Sequence, residues 1–215
     1  MIHNTYYCHE DLNRLPPYEI KVINFGISGS GSTFIYQLLT DLYSSGVVKT
    51  HDFYKPQSRT KVKVIATIRD FRDCLVSLHR RWFPEATEVN DAIVRESGQK
   101  ILGEIRSLRQ YLLYHNCQIL RYEEFIPDPN VIFDTIEQLF DIRLSIAERT
   151  KMAASHSIEA NRKIADVMSS FSQCEDKSQI HGNHIHGGKS VWEKFVANKE
   201  LVNEMFGTAL KEFYP

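Results

Sequence analysis

Ile20-Lys-Val-Ile-Asn-Phe-Gly26-Ile-Ser-Gly-Ser-Gly-Ser-Thr33 is the stretch whose reading decides the fold. Its first half is apolar and β-branched and predicts a strand over Ile20–Gly26. Its second half is a glycine turn. Beyond the turn, Ile35, Leu38, Leu39 and Leu42 recur at helical spacing with one buried face, and Gly46 fits a helix C-cap. A strand, a glycine turn and a helix N-terminus together bring backbone N–H groups against an anion. Gly29, Ser30, Gly31, Ser32 and Thr33 are therefore the candidate anion-binding residues, with the three hydroxyls as further donors. Gly26 and Gly31 keep the separation of the phosphate-loop pattern GxxxxGK[ST], and Thr33 meets its last position, but Ser32 stands in place of the lysine. That lysine reaches the β and γ phosphates of a nucleoside triphosphate. Its replacement argues against ATP-dependent phosphoryl transfer. The competing reading of the segment alone is a ligand-free turn.

The pattern repeats outward. Val47-Val48 reads as a short strand running into Lys49-Thr50-His51, and Lys61–Ile68 as a buried strand ending at Arg69. A helix from about Phe71 is stopped by Pro84, and a longer one spans roughly 88–114, with Ile101, Ile105, Leu108 and Leu112 on one face. Gln118–Tyr122 reads as another strand. Helices follow near 130–140 and 145–167, and a last one carries Val202, Phe206, Leu210 and Phe213. Residues 1–18 read as a polar arm and 169–190 as a mobile loop. Strands alternating with helices predict an α/β fold in three αβα layers around a central parallel sheet, as a single domain over 1–215. Ligands in such folds sit beyond the carboxyl ends of the strands, where Gly26–Thr33, Lys49–His51 and Arg69 fall.

Composition narrows the function. The chain has 215 residues, 42% hydrophobic and 25% charged, with a net charge of −1, so no basic nucleic-acid footprint is visible in bulk. The N-terminus lacks a basic start followed by an apolar run, and no apolar stretch approaches a membrane span. Cys8, Cys74, Cys117 and Cys174 are scattered, with neither a CxxC pair nor a zinc knuckle, which suits free thiols in a reducing compartment. The expectation is a cytoplasmic protein without nucleic-acid or membrane partners. His181, His184 and His186 match no helical metal face, and no metal is predicted.

Five segments, taken in order, resemble the family of sulfotransferases that use PAPS (3′-phosphoadenosine-5′-phosphosulfate). Ser30-Gly31-Ser32-Thr33-Phe34 matches the phosphate loop and Lys49-Thr50-His51 the KTH segment. Arg69 through Ser77 resembles the 3′-phosphate motif, which opens on Arg and closes on Ser eight residues later. Leu120-Arg-Tyr-Glu-Glu-Phe125 is similar to the YED strand end, and His186-Gly-Gly-Lys-Ser-Val-Trp192 to a shortened C-terminal glycine–tryptophan motif. The resemblance runs from about Val22 to Phe195 and implies roles. The phosphate loop would hold the 5′-phosphate of PAPS, Arg69 and Ser77 the 3′-phosphate, and Gly187, Gly188 and Lys189 would wrap the latter. Tyr122 would meet the adenine, against the alternative of a core tyrosine. His51 would deprotonate the acceptor and Lys49 would stabilise the sulfonate. His156-Ser157-Ile158-Glu159 is loosely similar to the segment flanking the adenine, with a plain helix face as the default.

Physical chemistry agrees with these roles. An arginine at a strand's carboxyl end holds a phosphate bidentately, although Asp70, Asp73 or Glu123 could instead take Arg69 as an ion-pair partner. A histidine titrates near neutrality and suits a general base. Two departures stand out. Gly29 occupies the place where the family usually has Lys or Arg, and Ile185-His186 replaces an Arg–Lys pair. Both remove positive charge from a site for an anion. The reading is thus sulfonate transfer from PAPS to a hydroxyl or amine of a small acceptor. The alternatives are a P-loop kinase-like phosphotransferase and a catalytically impaired PAP- or PAPS-binding protein. Phe53, Tyr54, Trp82 and Phe83 border the acceptor or belong to the core.

Overall fold

A computed structural model describes residues 2–55, 62–83, 85, 88–182, 185 and 192–215. In chain order the elements are β1 (Thr5–Tyr6), α1 (His9–Leu12), β2 (Val22–Gly26), α2 (Ser32–Leu42), β3 (Val47–Thr50), β4 (Lys63–Ile68), α3 (Phe71–Trp82), α4 (Asp91–Tyr114), β5 (Asn116–Arg121), α5 (Tyr122–Phe125), α6 (Asn130–Phe140), α7 (Ile146–Ser155), α8 (Ile158–Ala165), β6 (Cys174–Glu175), β7 (Ile180–His181) and α9 (Lys199–Phe213).

Five strands form one sheet in the order β1-β3-β2-β4-β5, every pair parallel. Every residue of β2 and β3 is buried, as is β4 beyond Lys63, because helices cover both faces. The strand period of two divides the core. Ile23, Phe25, Val48, Val64, Ala66 and Ile68 pack on one side, with α3, α4 and α9. Val22, Val47, Ile65 and Leu120 pack on the other, with α2, α6 and α7. The result is the three-layer αβα arrangement that the alternation predicts. The chain leaves β2 for β3 on one flank and then crosses to β4 on the other. The carboxyl ends of β2 and β4 thus flank a topological switch point, where an open α/β sheet leaves a crevice.

The structure differs from the sequence reading in three places. The arm at 1–18 supplies β1, an edge strand paired at Thr5↔Val48 and Tyr6↔Lys49. Asn4 holds it in place, donating to the Tyr43 carbonyl at 2.6 Å and accepting from the Val47 N–H at 2.9 Å. The helix read over 145–167 is two helices. Ser157 caps α8 by accepting from the Ala160 N–H at 3.2 Å, and Ser145 with Glu148 forms a capping box for α7. The stretch read as a loop at 169–190 contains the antiparallel pair β6–β7, where the ring of His181 in β7 stacks on Phe171 with centroids 4.5 Å apart.

Candidate active site

The loop between β2 and α2 is fixed by buried side chains. Ser30 turns back through its N–H onto the Ile27 carbonyl at 2.9 Å, and its hydroxyl lies 2.8 Å from that of Thr67. Asn24 donates to the Ser32 carbonyl at 2.7 Å. Ser28 donates twice to Glu104, from its N–H at 2.7 Å and its hydroxyl at 2.6 Å. Two glycines make the turn, Gly29 at φ +92° and Gly31 at φ +83°, in the region that L side chains avoid. A Cβ on Gly31 would come 3.0 Å from Phe125 and 3.1 Å from Tyr122. Gly31 also takes the N-cap position of α2 without any side-chain cap, which leaves the first-turn N–H groups to a ligand.

A cavity of about 460 Å³ opens over this turn. Gly29, Gly31, Thr33, Arg69, Ser77 and Tyr122 line it, together with Ala153 and His156–Glu159. The segment His156–Glu159, read by default as a plain helix face, therefore forms a cavity wall at the α7–α8 break. Ser30 and Ser32 lie behind the wall, their contacts directed into the protein.

Arg69 leaves β4 at its carboxyl end and is 6% exposed. Its guanidinium lies 4.4 Å from the Tyr122 ring centroid, 3.4 Å from the Gly29 carbonyl and 3.5 Å from the Asp73 carboxylate. Asp73 is thus the acidic neighbour among the three candidates. Asp70 pairs with Arg72 at 2.6 Å, and Glu123 accepts the Asp70 N–H. Burial pushes the Asp73 carboxyl up to about 6, with Arg69 opposing. The other Asp73 oxygen accepts the Trp192 N–H at 3.1 Å and so ties the start of the C-terminal segment to the arginine. Ser77, two turns into α3, packs against Gly29, where a Cβ would come within 3.1 Å of it. Gly187, Gly188 and Lys189 lie outside the described residues.

Lys49, at the end of β3, reaches under the loop and donates to the Thr33 hydroxyl at 2.8 Å. Burial, and then the nearby Arg81, bring its ammonium down to about 7. His51 follows β3 directly and its Nδ1 bonds to the Gly26 carbonyl. A carbonyl only accepts, so Nδ1 carries the proton and Nε2 keeps its lone pair. Burial lowers the His51 pKa, while Glu104 and the Gly26 carbonyl oppose the shift. At neutral pH the ring is an unprotonated base. Neither Lys49 nor His51 lines the cavity itself; Thr33, which does, connects Lys49 to it.

Two residues escape the sequence reading. Glu104 projects from the apolar stripe of α4 and is 5% exposed. A carboxylate at the spacing of Ile101, Ile105 and Leu108 is the signal that marks it. Arg81, in the last turn of α3, is buried and lines the cavity. In sequence it reads as a cation favouring a helix C-terminus. Of the four aromatic residues, Tyr54 is fully buried and Phe53 packs on Tyr111, so both serve the core. Trp82 and Phe83 are exposed and border a second hollow with Lys100 and Glu96.

No protein-family model matches the sequence, and no curated protein matches it. Solved structures do. The mouse sulfotransferase SULT7A1, complexed with PAP (3′-phosphoadenosine-5′-phosphate), superposes with a TM-score of 0.69 at 16% identity, covering 96% of this chain and 93% of its own. Retinol dehydratase, in complex with androsterone and the inactive cofactor PAP, superposes with a TM-score of 0.66 at 15% identity, covering 95% and 84%. The chain has the sulfotransferase fold.

Proposed function

We propose that the chain transfers a sulfonate group from PAPS to a hydroxyl or amine of a small acceptor. The observation that carries this reading is one cavity lined by a glycine turn at a helix N-terminus and, beside the turn, by Arg69 and Ser77. Backbone donors on the turn and side-chain donors on Arg69 and Ser77 suit a ligand with two phosphates. The likeness to two PAP-bound structures supports the same donor.

The chemistry needs little covalent work from the protein, as in phosphoryl transfer. The acceptor oxygen or nitrogen forms a bond to sulfur as the bond from sulfur to the 5′-phosphate oxygen breaks. The electron pair stays on that phosphate, and the acceptor proton passes to His51 Nε2. PAP and a sulfated acceptor are released. The turn and the first N–H groups of α2 would hold the 5′-phosphate, with Lys49 beside Thr33. Arg69 and Ser77 would hold the 3′-phosphate, Tyr122 would face the adenine, and no step calls for a metal ion.

Calorimetric titration with PAP tests the reading, with ATP and magnesium as the control. Micromolar PAP binding that is lost in Arg69→Ala supports it. Binding of ATP without PAP would overturn it in favour of a kinase-like phosphotransferase.

A further inference from the structure

We propose that Arg81 is a catalytic residue that takes up the charge appearing on the 5′-phosphate as the sulfonate leaves. The inference rests on the donor reading above. It answers a shortage of charge. The turn from Gly26 to Thr33 contains no cation, and Gly29 has no room for one, since its φ is +92° and a Cβ would stand 3.1 Å from Ser77. Lys49 is buried under Thr33 and loses its proton easily, while the Arg69 guanidinium is engaged by the Asp73 carboxylate and the Gly29 carbonyl.

Arg81 is placed to fill the gap. It is 9% exposed yet lines the same cavity as Gly29, Thr33 and Ser77. Among the described residues no carboxylate forms an ion pair with it, and its Nε has no hydrogen-bond partner. Its described contact is the Phe171 ring at 5.7 Å. A buried guanidinium with open donors is costly to the fold unless an anion completes it. Arginine keeps its charge there because its pKa starts so high. It shares the cavity lining with Thr33, in the first turn of α2, and its field also reaches Lys49 beneath that residue. Arg80 also lines the cavity, but its guanidinium lies over Phe195 at 5.1 Å. The planar fork of Arg81 suits two oxygens of a leaving phosphate.

Three nucleotides separate the contributions of the two phosphates: PAP, adenosine 5′-phosphate and adenosine 3′-phosphate. In titrations, Arg81→Gln should weaken PAP and adenosine 5′-phosphate by about 10- to 100-fold, the loss of one charge-assisted contact. Adenosine 3′-phosphate should bind it as it binds the unsubstituted protein. Arg69→Ala should show the reverse preference. Since Arg81 has no ion-pair partner to lose, the melting temperature of Arg81→Gln should not fall. Arg81→Lys keeps the charge and should recover part of the binding of the 5′-phosphate ligands. Uniform weakening of all three ligands in both Arg81 variants, or unchanged PAP affinity in Arg81→Gln, would overturn the role. Failure of the unsubstituted protein to bind PAP would instead overturn the donor reading beneath it.

Discussion

Glu104 accepts two hydrogen bonds from one residue, the backbone N–H of Ser28 at 2.7 Å and its hydroxyl at 2.6 Å. A buried carboxylate on α4 thus anchors the turn from below, and its charge also reaches His51. Glu104→Gln keeps the shape but removes the charge. It should cost about 1.5–3 kcal/mol of stability, as for a charged hydrogen bond. It should also lower the His51 pKa further, because the carboxylate raises it. Chemical denaturation checks the first effect. The acid limb of kcat/KM, moving to lower pH, checks the second.

Lys49 should make donor binding a proton-uptake reaction above neutrality. Its folded pKa is about 7 against an ordinary 10.5, and a bound phosphate favours the charged form again. At pH 8 calorimetry in buffers of different ionisation enthalpy should show uptake approaching one proton per PAP, and at pH 6 almost none. Lys49→Met should abolish the uptake. The same depression affects stability. Between about 7 and 10.5 the unfolded chain holds the proton and the folded chain does not, so stability without ligand should rise with pH across that window. A plateau there, or uptake retained in Lys49→Met, would refute the assignment.

His51→Asn should separate chemistry from binding. The amide can still donate to the Gly26 carbonyl, so the loop keeps its partner, but no base remains. Turnover should fall by about 10²–10⁴-fold, the usual contribution of a general base. PAP affinity should stay unchanged, because His51 does not line the donor cavity.

Gly29→Lys, which restores the cation usual in the family, should harm the protein. At φ +92° any side chain is strained, at about 1–2 kcal/mol, and its Cβ would come within 3.1 Å of Ser77. The melting temperature and PAP affinity should both drop. Tighter PAP binding with an intact fold would show that the turn adapts and that the site lacks a cation.

The parts of the site legible in the sequence are those set by local backbone chemistry. The turn at Gly26–Thr33 announces itself because positive φ demands glycine, and Arg69 because a buried strand ends at a charge. Glu104 and Arg81 lie 23 positions apart, on helices whose patterns read as ordinary amphipathic faces. Only the packing of α3 and α4 against the sheet turns them toward the loop. Cap chemistry left a trace that periodicity hid. Ser157 breaks the helix read over 145–167, although Ile158 resumes the apolar spacing at once. A two-residue strand such as Thr5–Tyr6 carries too short an alternation to be seen.

That short strand has a consequence for any shortened form of the protein. With Tyr6 opposite Lys49, and the Tyr7 N–H donating to the Lys49 carbonyl at 2.8 Å, β3 is an interior strand. Deleting residues 1–8 would leave β3 as an open border with its peptide groups unmet, a template on which a second molecule can pair. The strand bearing Lys49 would then become a site of self-association, and a tag placed close to Thr5 would invite the same outcome.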